Sequence, residues 1–496
     1  MSLTAETCLI VASLAPATNR EALEACAEAA ASIKAIEIRL DGFVEEPDLA
    51  AIRAAYSGRL LATLRSRSEG GQFEGSRGET ERILNGALKA GFELVDVELR
   101  SEGGAEIFGF DPERVVVSAH DVNGIPSELD HILDAMQRTG ARFSKIVGRA
   151  HDSADALRLL AFQRRRGDGR LSTFAMGESG LATRVLSPYF GAPLAFGALL
   201  PGHQTAPGQI PARDLDEVYG IGRNRSVERL FALFGGFVSH SLSPALHNAN
   251  FEAANDPALY VPFALESLLT EFDPLVVAFD GFGLPLKGAS VTIPFKEEAA
   301  TVAVFRGENV ANTLVRSGEA YMAANTDRAA LARFTPLGAP QSRALVLGAG
   351  GTARTAVEVL ISRRFDVYVW NRDPVRAHEL TEEVSGTFLP RLDEDLEPFV
   401  VLVNATPIGL KAGDPLPCPE SYLREGLVVI DAPYRPGGTR LARVARERGG
   451  RVFDGYALLA EQAARQAELF THRPTTPEQL VANLPPRLQE LFEELV

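Results

Sequence analysis

Lysine is scarce in this chain. Of the 50 basic residues among 496, six are lysine: Lys34, Lys89, Lys145, Lys287, Lys296 and Lys411. Where arginine is the default surface cation, a lysine inside an apolar segment points to a need for a titratable primary amine, which a guanidinium cannot supply. Lys145 and Lys296 stand in such segments. The basic residues are outnumbered by 65 acidic ones, for a net charge of -15. That balance argues against a nucleic-acid partner and against an anionic membrane surface, so an anionic substrate must be held by a few local cations.

Cysteine is equally sparse. Cys8, Cys26 and Cys418 are the three present, with neither a CxxC pair nor metal-ligand spacing, which predicts no disulfide framework, no metal and a reducing, cytoplasmic setting. Long apolar runs are missing too. CLIVASLA at 8–15 is too short to span a bilayer and has no basic segment before it, so it reads as a strand rather than a signal. With 46% hydrophobic and 23% charged residues the composition excludes disorder and fibres. The length suggests about three domains, or fewer if one is a barrel.

From residue 8, β-branched or apolar runs recur: TCLIVASL, AIEIRLD, RLLATLR, FELVDVEL, RVVVSAHD, FSKIVGRA, LSTFAMG and LAFGALL, starting near 8, 35, 59, 92, 114, 143, 171 and 194. Helical segments such as NREALEACAEAAAS and DALRLLAFQRRRG lie between most of them. Eight strand and helix units in about 200 residues predict a parallel (β/α)8 TIM barrel, an α/β fold, over a doubly wound sheet. In such barrels chemistry sits where strands end. Glu37, Arg39, Arg65, Glu69, Asp96, Glu98, His120 and Lys145 cluster there, followed by Arg184 and Gln209.

That constellation suits imine chemistry. A lysine is a poor nucleophile at neutral pH, but desolvation or neighbouring cations favour the free amine, which attacks a ketone. The iminium is an electron sink that acidifies the adjacent carbon. A histidine such as His120 removes that proton and returns it to a leaving hydroxyl, and a carboxylate such as Glu69 fixes its tautomer. Singly, Lys145 reads as an ion-pair residue and His120 as structural; together at strand ends they read as a site.

The ordered motifs EIRLD, TLRSRSEGG, SAHD, SKIVG, MGESGLATRVLSPYFG and TAPGQ resemble type I 3-dehydroquinate dehydratase over roughly residues 7–212. The resemblance implies that Lys145 forms the imine, that His120 is the general acid and base, and that Glu69 pairs with it. It further implies that Arg184 holds the substrate carboxylate while Glu37, Arg39, Arg65, Thr205 and Gln209 bind around the ring. Thr205 stands where the family often has serine, and the hydroxyl is kept.

The segment around 213–233 mixes charge and glycine with helix formers and reads as a linker. Beyond it, SRALVLGAGGTARTAVEVLISRRFDVYVWNRDPVRAHEL carries a strand, Gly348, Gly350 and Ala353 at GxGxxA spacing, a helix and a second strand. This is a Rossmann unit, whose glycines let the backbone approach a pyrophosphate. The second strand ends in Asn371 and Arg372, with Arg376 one turn on, in place of the acidic residue of an NAD site. Cations there suit a 2′-phosphate and favour NADP.

Upstream, VSHSLSPALHN places Ser241 and Ser243 before a helix, where hydroxyls and free backbone donors suit a carboxylate; an ordinary N-cap is the competing reading. GASVTIPFKEEA sets Lys296 after a strand, followed by Asn312 in VANTL and Asp327 in ANTDRAAL. A lysine and an aspartate near one pocket shuttle the proton that accompanies reduction of a ketone, unless they are a plain salt bridge. The set SHSLSP, VTIPFK, ANT, NTD, GAGGTAR, NRDPVRA, NATPIG, DAPYRPGGT and GYALLAEQAARQ is similar to shikimate dehydrogenase across 234–472. It implies that Lys296 and Asp327 are the catalytic pair, that Ser241, Ser243 and Tyr434 hold the carboxylate and that Asn312 and Gln462 contact hydroxyls. Gly348, Gly350, Gly351, Ala353, Asn371, Arg372, Arg376 and Thr406 are then the cofactor-binding set. Ser290, Arg328 and Leu458 depart from the family's Asn, Gly and Met. Of these Arg328 matters most, as a bulky cation beside Asp327 that is expected to lower its pKa or reshape the pocket.

The tail ends in an amphipathic helix with Leu488, Leu491, Phe492 and Val496 at helical spacing, which reads as a cap on a domain or a subunit contact. The expected organisation is a dehydratase barrel at 1–212, a linker at 213–233, a substrate lobe at 234–330, an NADP-binding Rossmann fold at 331–455 and returning helices at 456–496. The expected function is bifunctional: 3-dehydroquinate to 3-dehydroshikimate, then NADPH-dependent reduction to shikimate. Partners are small-molecule substrates, with homo-oligomerisation left open. Two alternatives stand beside it, a second half that prefers quinate or NAD, and a metabolite-sensing regulator built on the same domains.

Overall fold

The computed structural model describes residues 2–29, 33–99, 107–200, 202–304, 309–392 and 398–492. They form two compact units, residues 1–287 and 288–496.

In the first unit the eight runs become β1 (Leu9–Leu14), β2 (Ala35–Arg39), β3 (Arg59–Thr63), β4 (Leu94–Glu98), β5 (Val115–His120), β6 (Phe143–Arg149), β7 (Leu171–Met176) and β8 (Leu194–Ala198). All seven ladders are parallel, in the order β7-β6-β5-β4-β3-β2-β1-β8. The barrel is nearly closed: between its end strands the Ser172 hydroxyl accepts from the Leu194 N–H at 3.0 Å. Around it lie α1 (Asn19–Ala29), α2 (Leu49–Ala55), α3 (Arg77–Lys89), α4 (Leu129–Arg138), α5 (Ser153–Arg166), α6 (Leu181–Tyr189) and α7 (Ala212–Glu217). Their starts are set by side-chain acceptors, Asp48 for α2, Asp152 for α5, and for α3 a reciprocal Ser76–Glu79 capping box, each worth about 1 kcal/mol.

The period of two along a strand sorts the side chains. Ile36, Ile38, Val95, Val97, Val115, Val117 and Ile146 face the helices in one core, whereas Val11, Ala35, Leu61, Leu94, Val116, Val147, Phe174 and Phe196 gather in a second core. Two residues on from Ala35, Leu61, Leu94 and Val116, the same face carries Glu37, Thr63, Asp96 and Ser118, all buried. An apolar plug therefore fills the N-terminal end and a polar layer follows towards the strand C-termini.

The stretch read as a linker has regular structure at both ends: its first residues finish α7, and β9 (Arg229–Gly235) begins within it. Charged residues just before RLFALFG masked that strand start. β9 pairs in parallel with β10 (Ala258–Ala264), flanked by α8 (Ser243–Ala253) and α9 (Leu268–Gly281). The chain passes into the second unit within β11 (Leu286–Val291), which is followed by α10 (Lys296–Val302), β12 (Thr313–Ser317), β13 (Ala320–Ala324) and α11 (Thr326–Phe334).

The Rossmann portion has β14 (Arg343–Leu347), α12 (Gly351–Ser362), β15 (Asp366–Trp370), α13 (Pro374–Val384), β16 (Thr387–Phe388), β17 (Val401–Asn404), β18 (Val428–Asp431), α14 (Arg440–Glu447) and β19 (Arg451–Phe453). Its sheet is parallel in the order β16-β15-β14-β17-β18-β19. The helix α15 (Gly455–Thr471) then packs on α11 and β12, and α16 (Pro477–Ala482) and α17 (Pro486–Gln489) follow. The tail caps α15, with the Phe492 ring 5.3 Å from that of Tyr456; Val496 lies outside the described residues. Among the described residues no helix is long and apolar enough to cross a membrane, and all three cysteines are free and buried.

One close approach is diagnostic of how the barrel is finished. A Cβ added at Gly197 in β8 would lie 2.6 Å from the Ala212 Cα and 2.8 Å from the Ile210 carbonyl oxygen. Gly197→Ala is therefore expected to destabilise the first unit by about 1–3 kcal/mol, read as a lower urea midpoint; an unchanged midpoint would contradict this packing.

Candidate active sites

The barrel mouth gathers side chains from six of the eight strands, and from the loops that follow them, around a cavity of about 150 Å³ lined by Glu37, Arg39, Arg65, Glu69, His120, Lys145, Arg184, Thr205 and Gln209 among others. Lys145, in the middle of β6, is buried. Its Nζ donates to Asp96 Oδ2 at 3.1 Å, lies 3.6 Å from Glu37 Oε1 and stands 4.2 Å from the centre of the Phe196 ring. Its nearest charges are thus carboxylates, not the cations that the sequence reading invoked. Glu37 is held in turn by the Ser13 hydroxyl at 2.6 Å and the Thr63 hydroxyl at 2.8 Å.

Arg65 organises the other carboxylates. Its guanidinium donates to Glu69, Glu98, Asp96 and the Ser118 hydroxyl at 2.8–3.0 Å. Burial pushes the Asp96 carboxyl up, but Arg65 and Lys145 outweigh it and hold it at about 2. Glu37 is likewise kept below its ordinary value, burial being overcome by Lys145 and Arg39. Arg39 itself makes a two-point pair with Asp41, at 2.8 and 2.7 Å, so its guanidinium is fixed before any ligand arrives.

His120 Nδ1 lies 2.8 Å from Glu69 Oε2. Burial pushes the Glu69 carboxyl up to about 8 against the pull of Arg65. Burial, with the Arg65 and Lys145 charges, also pushes the His120 imidazole well below 6.5. At neutral pH the pair therefore carries two protons, one in the Nδ1–Oε2 bond and one on Nε2; loss of the second leaves the shared proton in place and Nε2 free to accept.

Arg184, on α6, is 4% exposed, and its Nε and Nη2 have no hydrogen-bond partner among the described residues. Its guanidinium lies over the Phe174 ring at 4.8 Å. Burial lowers its pKa to about 10, so it stays charged at neutral pH. A buried cation left open on one side is costly, and it suits a carboxylate. Gln209 Oε1 accepts from the Thr205 N–H and hydroxyl at 2.8 and 3.1 Å, tying the TAPGQ segment to itself.

Two residues read for the second half lie in the first unit: Ser243 begins α8, and its N–H donates to Ser241 Oγ at 3.2 Å. The remainder stand in the second unit. Lys296, at the first position of α10, ion-pairs with Asp327 Oδ2 and donates to Thr352 Oγ1 at 3.1 Å. Asp327, fully buried on α11, also accepts from Asn312 Nδ2 at 2.9 Å, while Asn312 Oδ1 accepts from the Thr326 N–H at 2.8 Å. Lys296, Asp327 and Asn312 are thereby one bonded cluster. Arg328 does not face it: neighbours on a helix point about 100° apart, and Arg328 pairs with Glu358 on α12 at 2.6 Å. Ser290 bonds to Gln466 Oε1 at 2.8 Å, and Gln466 Nε2 donates to Thr313 Oγ1 at 3.2 Å. Gln462, one turn earlier on α15, is half-buried. Tyr434 lies half-buried in the loop after β18, its ring 5.2 Å from that of Tyr456.

The glycine loop fits a dinucleotide. Gly348 has φ 115° and its N–H donates to the Trp370 carbonyl at the end of β15; a Cβ there would lie 2.9 Å from the Ala405 carbonyl oxygen. A Cβ at Gly350 would meet nothing within 4 Å, so the backbone faces open space just before α12, whose first N–H groups have no intrahelical acceptor. A Cβ at Gly351 would lie 3.2 Å from the Lys296 Cβ, and Ala353 is buried. Arg372 and Arg376 are exposed. Asn371 and Thr406 instead serve their own turns, Asn371 Nδ2 donating to the Asp373 carbonyl at 3.0 Å and Thr406 Oγ1 to Asn404 Oδ1 at 2.7 Å.

Asp96 and Ser118 in the barrel, and Thr352, Thr326 and Gln466 in the second unit, were not singled out for roles by sequence reasoning. Asp96 stood at a strand end as a visible signal. Thr352 had only its place in the glycine loop, with nothing local to tie it to Lys296.

The family model of type I 3-dehydroquinase matches residues 10–225, that of the shikimate dehydrogenase substrate binding domain 233–312, and that of shikimate/quinate 5-dehydrogenase 330–408. Over 480 residues the chain is 31% identical to the chloroplastic bifunctional 3-dehydroquinate dehydratase/shikimate dehydrogenase of Arabidopsis thaliana, covering 89% of this chain and 78% of that protein. It is 37% identical over 252 residues to the shikimate dehydrogenase (NADP(+)) of Natronomonas pharaonis, covering 49% and 93%. A solved structure of dehydroquinate dehydratase and shikimate dehydrogenase from S. pombe is similar at 22% identity, 98% coverage of both chains and a TM-score of 0.41. The matched regions run in the same order as the barrel, the lobe and the glycine loop, and the chain belongs to the bifunctional 3-dehydroquinate dehydratase/shikimate dehydrogenase family.

Proposed function

We propose that this chain runs two consecutive steps of the shikimate pathway through the side chains placed above: dehydration of 3-dehydroquinate at the barrel mouth, then NADPH-dependent reduction of 3-dehydroshikimate to shikimate. The observation that carries the first step is Lys145, buried on β6 beside Asp96 and Glu37, opening into the same cavity as the His120–Glu69 pair.

In this reading the free amine of Lys145 attacks the substrate ketone and water leaves, giving an iminium. His120 takes a proton from the adjacent carbon, and the C–H electron pair moves towards the iminium nitrogen. The electrons then return, the bond to the departing hydroxyl breaks, and His120 gives its proton to that oxygen, so that water is lost. Hydrolysis of the iminium frees Lys145. Arg184 holds the substrate carboxylate with its open guanidinium edge, and Glu37, Arg39, Arg65, Thr205 and Gln209 border the ring hydroxyls.

In the second unit NADPH, when bound, supplies hydride to the ketone carbon. Gly348, Gly350, Gly351 and the start of α12 are placed to hold its pyrophosphate, and Arg372 and Arg376 its 2′-phosphate. Lys296, with Asp327 behind it, delivers the proton to the ketone oxygen. Asn312 holds Asp327 in place, so its amide acts through that carboxylate as well as on a substrate hydroxyl. Gln462 takes another hydroxyl, and Ser241, Ser243 and Tyr434 take the carboxylate. We assign residues 1–212 to the dehydratase, the lobe from β9 to residue 330, the Rossmann fold to 331–455 and the returning helices to 456–496. The sparse, buried thiols support a cytoplasmic, reducing setting.

Borohydride reduction tests the first step directly. With 3-dehydroquinate present, a stable mass increase is expected on the Lys145 peptide and none in Lys145→Ala; labelling elsewhere, or none, would remove Lys145 from its role. The pH profile tests the second group. The base form is the pair that keeps its shared proton and has lost the second, which the raised Glu69 carboxyl retains until pH approaches about 8, so dehydratase kcat/KM is expected to rise towards that pH. Glu69→Gln removes the carboxyl that retains that proton and leaves the depressed imidazole, so the acid limb moves to lower pH. An acid limb unmoved by Glu69→Gln would contradict the pairing.

A further inference from the structure

Glu178 belongs to the MGESGLATR stretch but has no place in the chemistry above. It lies between β7 and α6, the helix that carries Arg184. On one side this turn is pressed against the segment bearing Thr205 and Gln209. The Gly177 N–H donates to the Pro207 carbonyl at 3.1 Å, and a Cβ added at Gly208 would lie 2.2 Å from the Gly177 carbonyl oxygen. On the other side, Glu178 Oε1 accepts from the backbone N–H groups of Val238 and Ser239, each at 2.8 Å. The Ser241 N–H then donates to the Val238 carbonyl at 3.1 Å, and the Ser243 N–H to Ser241 Oγ at 3.2 Å.

One carboxylate oxygen thus gathers two donors at the entrance of the turn that presents Ser241 and Ser243. Hydrogen bonds to an ionised acceptor are roughly twice as strong as neutral ones, so this contact is able to set the turn's position. A second carboxylate fixes the lobe to the same rim of the barrel. Glu271 on α9 accepts the Ser153 N–H at the start of α5 at 3.0 Å with Oε2, while its Oε1 accepts from the Glu266 and Ser267 N–H groups at 2.7 and 3.0 Å. With the lobe anchored there, a shift of the Gly177–Glu178 turn is transmitted to Val238 and Ser239 rather than absorbed by movement of the whole lobe.

We propose that Glu178 is a positioning residue for the carboxylate-binding turn of the dehydrogenase, and that it couples this turn to the Thr205–Gln209 segment of the dehydratase mouth. The proposal rests on the roles assigned above to Ser241, Ser243, Thr205 and Gln209.

Steady-state shikimate oxidation by the full chain tests it. Glu178→Ala is expected to raise the KM for shikimate about tenfold, with kcat and the KM for NADP unchanged. Glu178→Gln keeps an oxygen that accepts the two N–H groups and is expected to restore most of the affinity. The wild-type chain with its barrel filled by the borohydride-reduced Lys145 adduct is expected to show a shikimate KM shifted about fivefold, since occupancy that fixes the Thr205–Gln209 segment acts through the same contact. A shikimate KM indifferent to both Glu178→Ala and the adduct overturns the proposal, as does a loss confined to kcat. Should Glu178→Ala fail to fold, the adduct decides alone, an unchanged KM overturning the coupling. Failure of the functional reading looks different, because the unmodified chain would then turn over neither shikimate nor 3-dehydroquinate.

Discussion

A charge taken into the interior of a protein must meet its counter-charge there, because its lost hydration is worth several kcal/mol. Both sites are built around that constraint. Lys145 is buried only because Asp96 and Glu37 stand beside it, and these carboxylates are buried only because Arg65, Lys145 and three hydroxyls hold them. Lys296 is matched by Asp327, and Asp327 by Asn312. Arg184 is the exception: its guanidinium keeps an edge without a hydrogen-bond partner among the described residues. On the proposed reading an anionic substrate completes the balance in a chain of net charge -15.

The same constraint decides where in the barrel chemistry is located. Inward positions alternate with outward ones along each strand, so Leu94, Asp96 and Glu98 share one face of β4, as Val116, Ser118 and His120 share one face of β5. An apolar residue first and polar residues after it make a plug below and a charged layer above. The plug excludes water from below, which strengthens every pairing in the layer over it. In the second unit the glycine loop plays a comparable part. Gly351 has no side chain where one would press on Lys296, so the start of α12 approaches the Lys296–Asp327 pair, and Thr352 reaches Lys296 from that helix.

Much of this was legible in the sequence because it is local. The strand runs, the strand-end position of His120 and the strand–glycine–helix unit depend on periodicity and short motifs, which survive in one dimension, whereas Lys145, read at a strand end, stands in the middle of β6. The counter-charges were less legible. That Asp96 and Glu37, rather than a cation, flank Lys145 depends on the cross-strand neighbours of β2, β4 and β6, and Thr352 meets Lys296 across 56 residues. Motifs also fail to say which way a side chain turns. Asn371 and Thr406 sit in cofactor motifs yet bond within their own turns, and Arg328 follows Asp327 yet faces Glu358 because one helical step separates their directions. Gln466 and Gln462 differ by a single turn of α15, and only packing shows that Gln466 is the one bonded to Thr313.

The central claim is that both sites of this one chain work, in series. The direct measurement is NADPH absorbance after adding 3-dehydroquinate alone to the purified protein, with the enone absorbance of 3-dehydroshikimate followed in the same cuvette. The account predicts steady loss of NADPH, which requires dehydration first and reduction second. Silence in both channels, with the protein folded, would contradict it.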